Sequence, residues 1–144
     1  MREILFRGKR LDNGEWVEGY LYITHNGEHE ISIYNDEVNI ERWTHEVDPS
    51  TVGQYTGLKD KNGMKIWEGD IIKMDNGKSS SIAVVKFGEY YPKMFYDMCF
   101  LPTKHLNANG FFAESNNHED MILFKSQFIE VIGNITDNPE LLEK

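Results

Sequence analysis

Two histidines four residues apart, His25 and His29 in "HNGEH", have the spacing at which successive helical turns offer two ligands to one metal ion. The Asn26-Gly27 pair between them favours a turn instead, and the sequence fixes no third ligand. A second polar run, His118-Glu119-Asp120, stands in an asparagine-rich stretch without the spacing of a metal cage and reads as solvated surface. No metal and no cofactor is expected. Ser, His and Asp residues are scattered along the chain, but there is neither a GxSxG nucleophile turn nor a GxxxxGK[ST] phosphate loop. The chain is therefore not expected to be an enzyme.

Binding chemistry has more material. Lys59, Lys61, Lys65, Lys73 and Lys78 are possible phosphate contacts, and Tyr90, Tyr91, Phe95 and Tyr96 follow them. Such rings could stack bases, hold a partner protein or tuck into the core, and the core is the preferred reading. The whole chain carries a formal charge of −9, with an uneven distribution. Residues 1–50 hold 11 acids against 5 bases, residues 51–103 hold 6 against 7, and residues 104–144 hold 7 against 3. Clustered Lys and Arg drive nucleic-acid binding, so this balance ranks protein partners first and nucleic acid second. An acidic face that imitates DNA before a host DNA-binding protein is a variant of the first reading.

The elements that must position these residues are short strands. In "EILFRGKRLDNGEWVEGYLYI", the Asp12-Asn13-Gly14 turn joins two apolar runs into a hairpin. "THNGEHE" makes a second turn before Ile31 and Ile33, which alternate with polar neighbours, and a further strand is expected over Val38–Trp43. Pro49 and its neighbours break the pattern, placing a boundary between an N-terminal meander, residues 1–46, and a barrel-like remainder, residues 47–144.

The stretch "YTGLKDKNGMKIWEGDII", residues 55 to 72, reads as scaffold. Tyr55–Leu58 and Met64–Trp67 can pair around a turn in which Gly63 takes a left-handed conformation. Gly57, Trp67, Gly69 and Asp70 complete the set of fold markers, with Asp70 accepting backbone amides across a bend. "SSSIAVVKF" continues as a strand, and "QFIEVIGNI" is expected to return across an irregular insertion, about residues 88–126, to complete the sheet. Asn138 and Pro139 are positioned to cap and open a short C-terminal helix. The expected fold is mainly β: an antiparallel meander plus a small SH3-like, barrel-like sheet.

The 144 residues contain a single cysteine, Cys99, which fits a buried thiol in a reducing compartment, and no apolar run long enough to span a membrane. The opening "MREILFRGKR" lacks the apolar stretch of a secretory signal, so a cytoplasmic protein is expected. Open strand edges and exposed aromatic surface predict a homo-oligomer.

Together "YTGLKDKNGMKIWEGDII", the terminal "EVIGNITDNPELL" and the opening "REILFRG" with its following Trp16 resemble the YopX family of small phage and prophage proteins, from near residue 2 to residue 142. The resemblance implies a mainly β fold encoded by a bacteriophage or prophage and residence in the bacterial cytoplasm. It brings no assigned activity, ligand or catalytic residue. The insertion and the segment from His25 to Trp43 are the least family-like parts.

Overall fold

A computed structural model describes residues 4–33, 43–75, 77, 80–90, 108–115, 120–122 and 126–143. The chain divides into two compact units, Met1–Gly57 and Leu58–Lys144. Both are antiparallel β structures, as the turn spacing predicts, and among the described residues neither sheet closes into a barrel.

The first unit contains β1 (Phe6–Lys9), β2 (Trp16–Ile23), β3 (His29–Ser32) and β4 (Thr44–Glu46), followed by β5 (Gly53–Lys59), which carries the chain out of it. The order across its sheet is β4-β3-β2-β1-β5. β1 and β2 form the expected hairpin, with Lys9 opposite Trp16 and Phe6 opposite Gly19. The sheet curls until Arg10 meets Val47 in an isolated bridge, with the Leu11 amide donating to the Glu46 carbonyl at 3.1 Å. The expected strand over Val38–Trp43 falls largely outside the described residues. Val17, Ile31 and Val47 are the buried centre, with Phe6, Leu21, Ile33 and Val52 packed around them. Side chains alternate across a strand, so this inner face fixes the other set, including Arg7, Trp16, Glu18, Tyr20 and Tyr22, as the outer face.

The second unit begins with the end of β5 and β6 (Lys65–Trp67), which neighbours it. Its main sheet has the order β10-β9-β8-β7-β11, from β7 (Asp70–Asp75), β8 (Ser80–Tyr90), β9 (Ala108–Ser115), β10 (Asp120–Ile122) and β11 (Ile129–Asn134). β11 returns to pair with β7, Glu130 opposite Lys73 and Val131 opposite Ile72, with a bulge between Val131 and Gly133. The expected return of the last strand is therefore present. Ile66, Ile72, Ala83, Val85, Ala113 and Ile129 form the core.

Two local expectations need correction. The stretch read as irregular contains β9 and β10, because Phe111 and Ala113 extend the apolar face of β8, lying opposite Phe87 and Val85. The C-terminal element is a single 3-10 turn, Pro139–Leu142, and Asn138 does not cap it. Its side-chain oxygen instead accepts from the Asn134 amide at 3.3 Å. A Cβ at Gly133 would stand 2.6 Å from that oxygen, so the side chain occupies space that only glycine leaves.

Candidate functional site: the outer face of the N-terminal sheet

The residues of the 55–72 stretch act on backbone. Gly57, Gly63 and Gly69 have φ of +85°, +81° and +91°. Trp67 is 3% exposed, and its amide donates to Asp70 Oδ2 at 2.8 Å, with Asp70 itself 1% exposed. Gly69 donates to the Val85 carbonyl at 2.8 Å and accepts from the Ile135 amide at 2.9 Å, tying the bend to β8 and to the end of β11.

Asp60, which the sequence presents as one turn residue among five, is the most connected of them. Only 5% exposed, it accepts with Oδ1 from the Asn62 and Met64 amides at 2.8 and 2.9 Å and with Oδ2 from the Val131 amide at 3.0 Å. Lys61 donates its amide to the Ile129 carbonyl at 3.0 Å. The edge of β11 is thereby covered by its own chain, a recognised way to blunt a strand edge. Burial pushes the Asp60 carboxyl up, but the Val131, Met64 and Asn62 amides and the Lys61 charge outweigh it and hold the group below its ordinary value.

The described lysines are spread over several elements. Lys59 is exposed at the end of β5, and Lys65 is half-buried on β6. Lys61 pairs with Glu130 at 3.4 Å, and Lys73 lies opposite the same glutamate. Another lysine of the sheet, Lys86, binds Glu114 at 2.9 Å. Carboxylates are thus interleaved with the cations. Lys78 lies outside the described residues, as do Tyr91, Phe95, Tyr96, Cys99 and His118; Tyr90 ends β8, and its side chain is not described. His29 Nδ1 faces the Gly27 carbonyl at 3.2 Å, and no cluster of three metal-ligating side chains occurs among the described residues.

The surface that sequence reasoning passed over is the outer face of the first unit. Tyr20 and Tyr22 on β2 are 52% and 60% exposed. Trp16 on the same face carries Arg7 over its ring, the guanidinium carbon 4.7 Å from the centroid, with Lys9 Nζ at 5.7 Å. Across β3 and β4 the face continues through two rows, Tyr22–Glu30–Glu46 and Tyr20–Ser32–Thr44. The signal was present in "WVEGYLY": Val17, Gly19 and Leu21 on one phase leave the larger aromatic rings on the other. Such a face can stack and hydrogen-bond.

A protein-family model described as "YopX protein" matches residues 5–143. No curated protein matches the chain. Among solved structures, the chain is similar to the crystal structure of an Enterococcus faecalis protein, at 22% identity over 99% of each chain with a TM-score of 0.47. Among the described residues, no helix is long and apolar enough to cross a membrane.

Proposed function

The chain belongs to the YopX family, and we propose that it is a protein-binding or assembly module that works through the outer face of its N-terminal sheet. The observation that carries this reading is the pair of exposed tyrosines, Tyr20 and Tyr22, on a sheet face whose opposite side is a packed core. Tyrosine supplies a large, rigid contact area with a hydrogen-bonding tip, the profile of an interface anchor. The family resemblance supports a bacteriophage or prophage origin, with action in the bacterial cytoplasm on a phage or host protein. Self-association, through the edge strands of the described sheets, is part of the same reading.

Nucleic acid ranks behind protein. The pairing of Lys61 with Glu130 and of Lys86 with Glu114 counts against a lysine groove, as does the net charge. The test is a pull-down from bacterial lysate with and without nuclease, using the wild type and a Tyr20→Ala/Tyr22→Ala variant. Nuclease-resistant partners that the variant loses are expected. Partners that vanish with nuclease would replace this reading with the nucleic-acid one.

A further inference from the structure

We propose that the occupant of this face is a basic, arginine-bearing protein segment, received by Glu30 and Glu46 and stacked on Tyr20 and Tyr22. This rests on the reading of the face as a protein-binding surface and names the chemistry of its partner.

Glu30 of β3 lies directly opposite Glu46 of β4. The Ile33 amide donates to the Trp43 carbonyl at 3.0 Å, and the Val47 amide to the His29 carbonyl at 2.9 Å. Those contacts make 33/43 and 29/47 hydrogen-bonded pairs, so 30/46 and 32/44 are the alternating pairs with the closer side-chain spacing. Ser32 Oγ and Thr44 Oγ1, 3.0 Å apart in the adjacent pair, display that spacing. Like charges placed directly opposite each other destabilise a sheet. Ion pairs among the described residues include Arg10–Asp12, Lys61–Glu130 and Lys86–Glu114, all on other carboxylates.

Folding alone gives no reason for two opposed carboxylates beside two exposed rings. A cation from outside does. Tyr22 is the cross-strand neighbour of Glu30, so a guanidinium stacked on its ring also reaches the glutamate row. Glu18, on the same face beyond Tyr20, has Arg7 as its cross-strand neighbour and leaves the Glu30–Glu46 pair as the acidic centre. Arg7 and Lys9 are on β1, two strands from Glu30, and reach over Trp16. A second copy is a poor occupant, since a two-fold interface centred here sets the same glutamates against themselves. Phosphate backbones and anionic lipid surfaces meet the same repulsion.

The probe is a fluorescent peptide alternating arginine and serine, followed by anisotropy against the intact chain. Glu30→Gln/Glu46→Gln is compared with Glu140→Gln/Glu143→Gln, which removes the same charge from exposed positions of the second unit. The expected result is a loss of about tenfold or more for the first variant and little change for the second. The first variant should also melt at or above the wild-type temperature, because it relieves an opposed pair. Equal losses would show that the peptide reads only the net charge and would overturn the proposal. Tighter binding of a single-stranded oligothymidylate than of the peptide would overturn it as well. If Tyr20→Ala/Tyr22→Ala still loses its lysate partner while Glu30→Gln/Glu46→Gln binds peptide normally, the cationic occupant falls and the protein-binding face stands. If neither variant changes anything, both readings fall.

Discussion

At the scale of single residues, the contrast between Asp60 and Asp70 shows how far sequence reasoning reaches. Asp70 precedes a β-branched run after a glycine, so its role as a backbone acceptor at a bend was legible. The long-range part of Asp60's role was not, because its Val131 partner lies 71 positions away and no local pattern announces it. Replacing Asp60 with Ala should cost about 3 kcal/mol, since three amides lose a charged acceptor. The carboxyl's folded pKa lies below its unfolded value of about 3.9, so its stabilisation is fully present above that value and is lost as pH falls through the folded pKa. Melts of wild type and Asp60→Asn between about pH 6 and pH 2 should therefore converge at the acid end. Parallel curves would show that the carboxylate charge is not what holds β11. In the same stretch, Gly63→Val should cost about 1–3 kcal/mol from φ alone, because a Cβ there meets nothing within 4 Å. Trp67→Ala should cost about 3–5 kcal/mol through the cavity it leaves. Wild-type melting of both variants with loss of partner binding would mean that a site had been mistaken for scaffold.

At the scale of elements, strands with clean alternation and a glycine turn at one end were legible: the β1–β2 hairpin, β3, β8 and β11. β9 was not, because Asn109-Gly110 and adjacent phenylalanines look like a loop until β8 supplies a face for them to join. Its register sets Phe111 against Phe87, with ring centroids 4.9 Å apart and planes at 64°, an edge-to-face contact. The outer face of β2 was missed for the opposite reason, since polar phase was equated with plain surface although it held two tyrosines. β2 also contains a glycine whose purpose is contact and not conformation. A Cβ on Gly19 would collide with the Ser32 carbonyl oxygen and touch Ile31. Gly19→Ala must therefore push β2 from β3, at a cost of about 1–3 kcal/mol or more. Amide exchange should accelerate at Ile31 and its neighbours while the second unit's strands keep their protection, and an unchanged first unit would refute this account of the close approach.

At the scale of the whole molecule, each unit has its own core, and the charge of −9 governs how copies meet one another and how they meet anything else. These two encounters should respond to salt in opposite directions. Copies of an acidic chain repel over a screening length of about 30 Å at 0.01 M salt, which shrinks to about 3 Å at 1 M. Any self-association must then come from backbone edges and apolar surface, which salt does not weaken, and with the Asp60–Lys61 cover on β11 the other end of the second sheet, β10, has no further strand beside it among the described residues. Light scattering at fixed protein concentration should show a mean mass that rises as sodium chloride is raised from about 0.02 to 0.5 M. The arginine peptide should lose affinity over the same range, because its attraction is the quantity being screened. A mass that falls with salt would mean that copies are joined by ion pairs and would remove strand edges as the cause. A clean monomer throughout would end the oligomer proposal while leaving the tyrosine face, whose partner is a different molecule, to be judged on its own binding data.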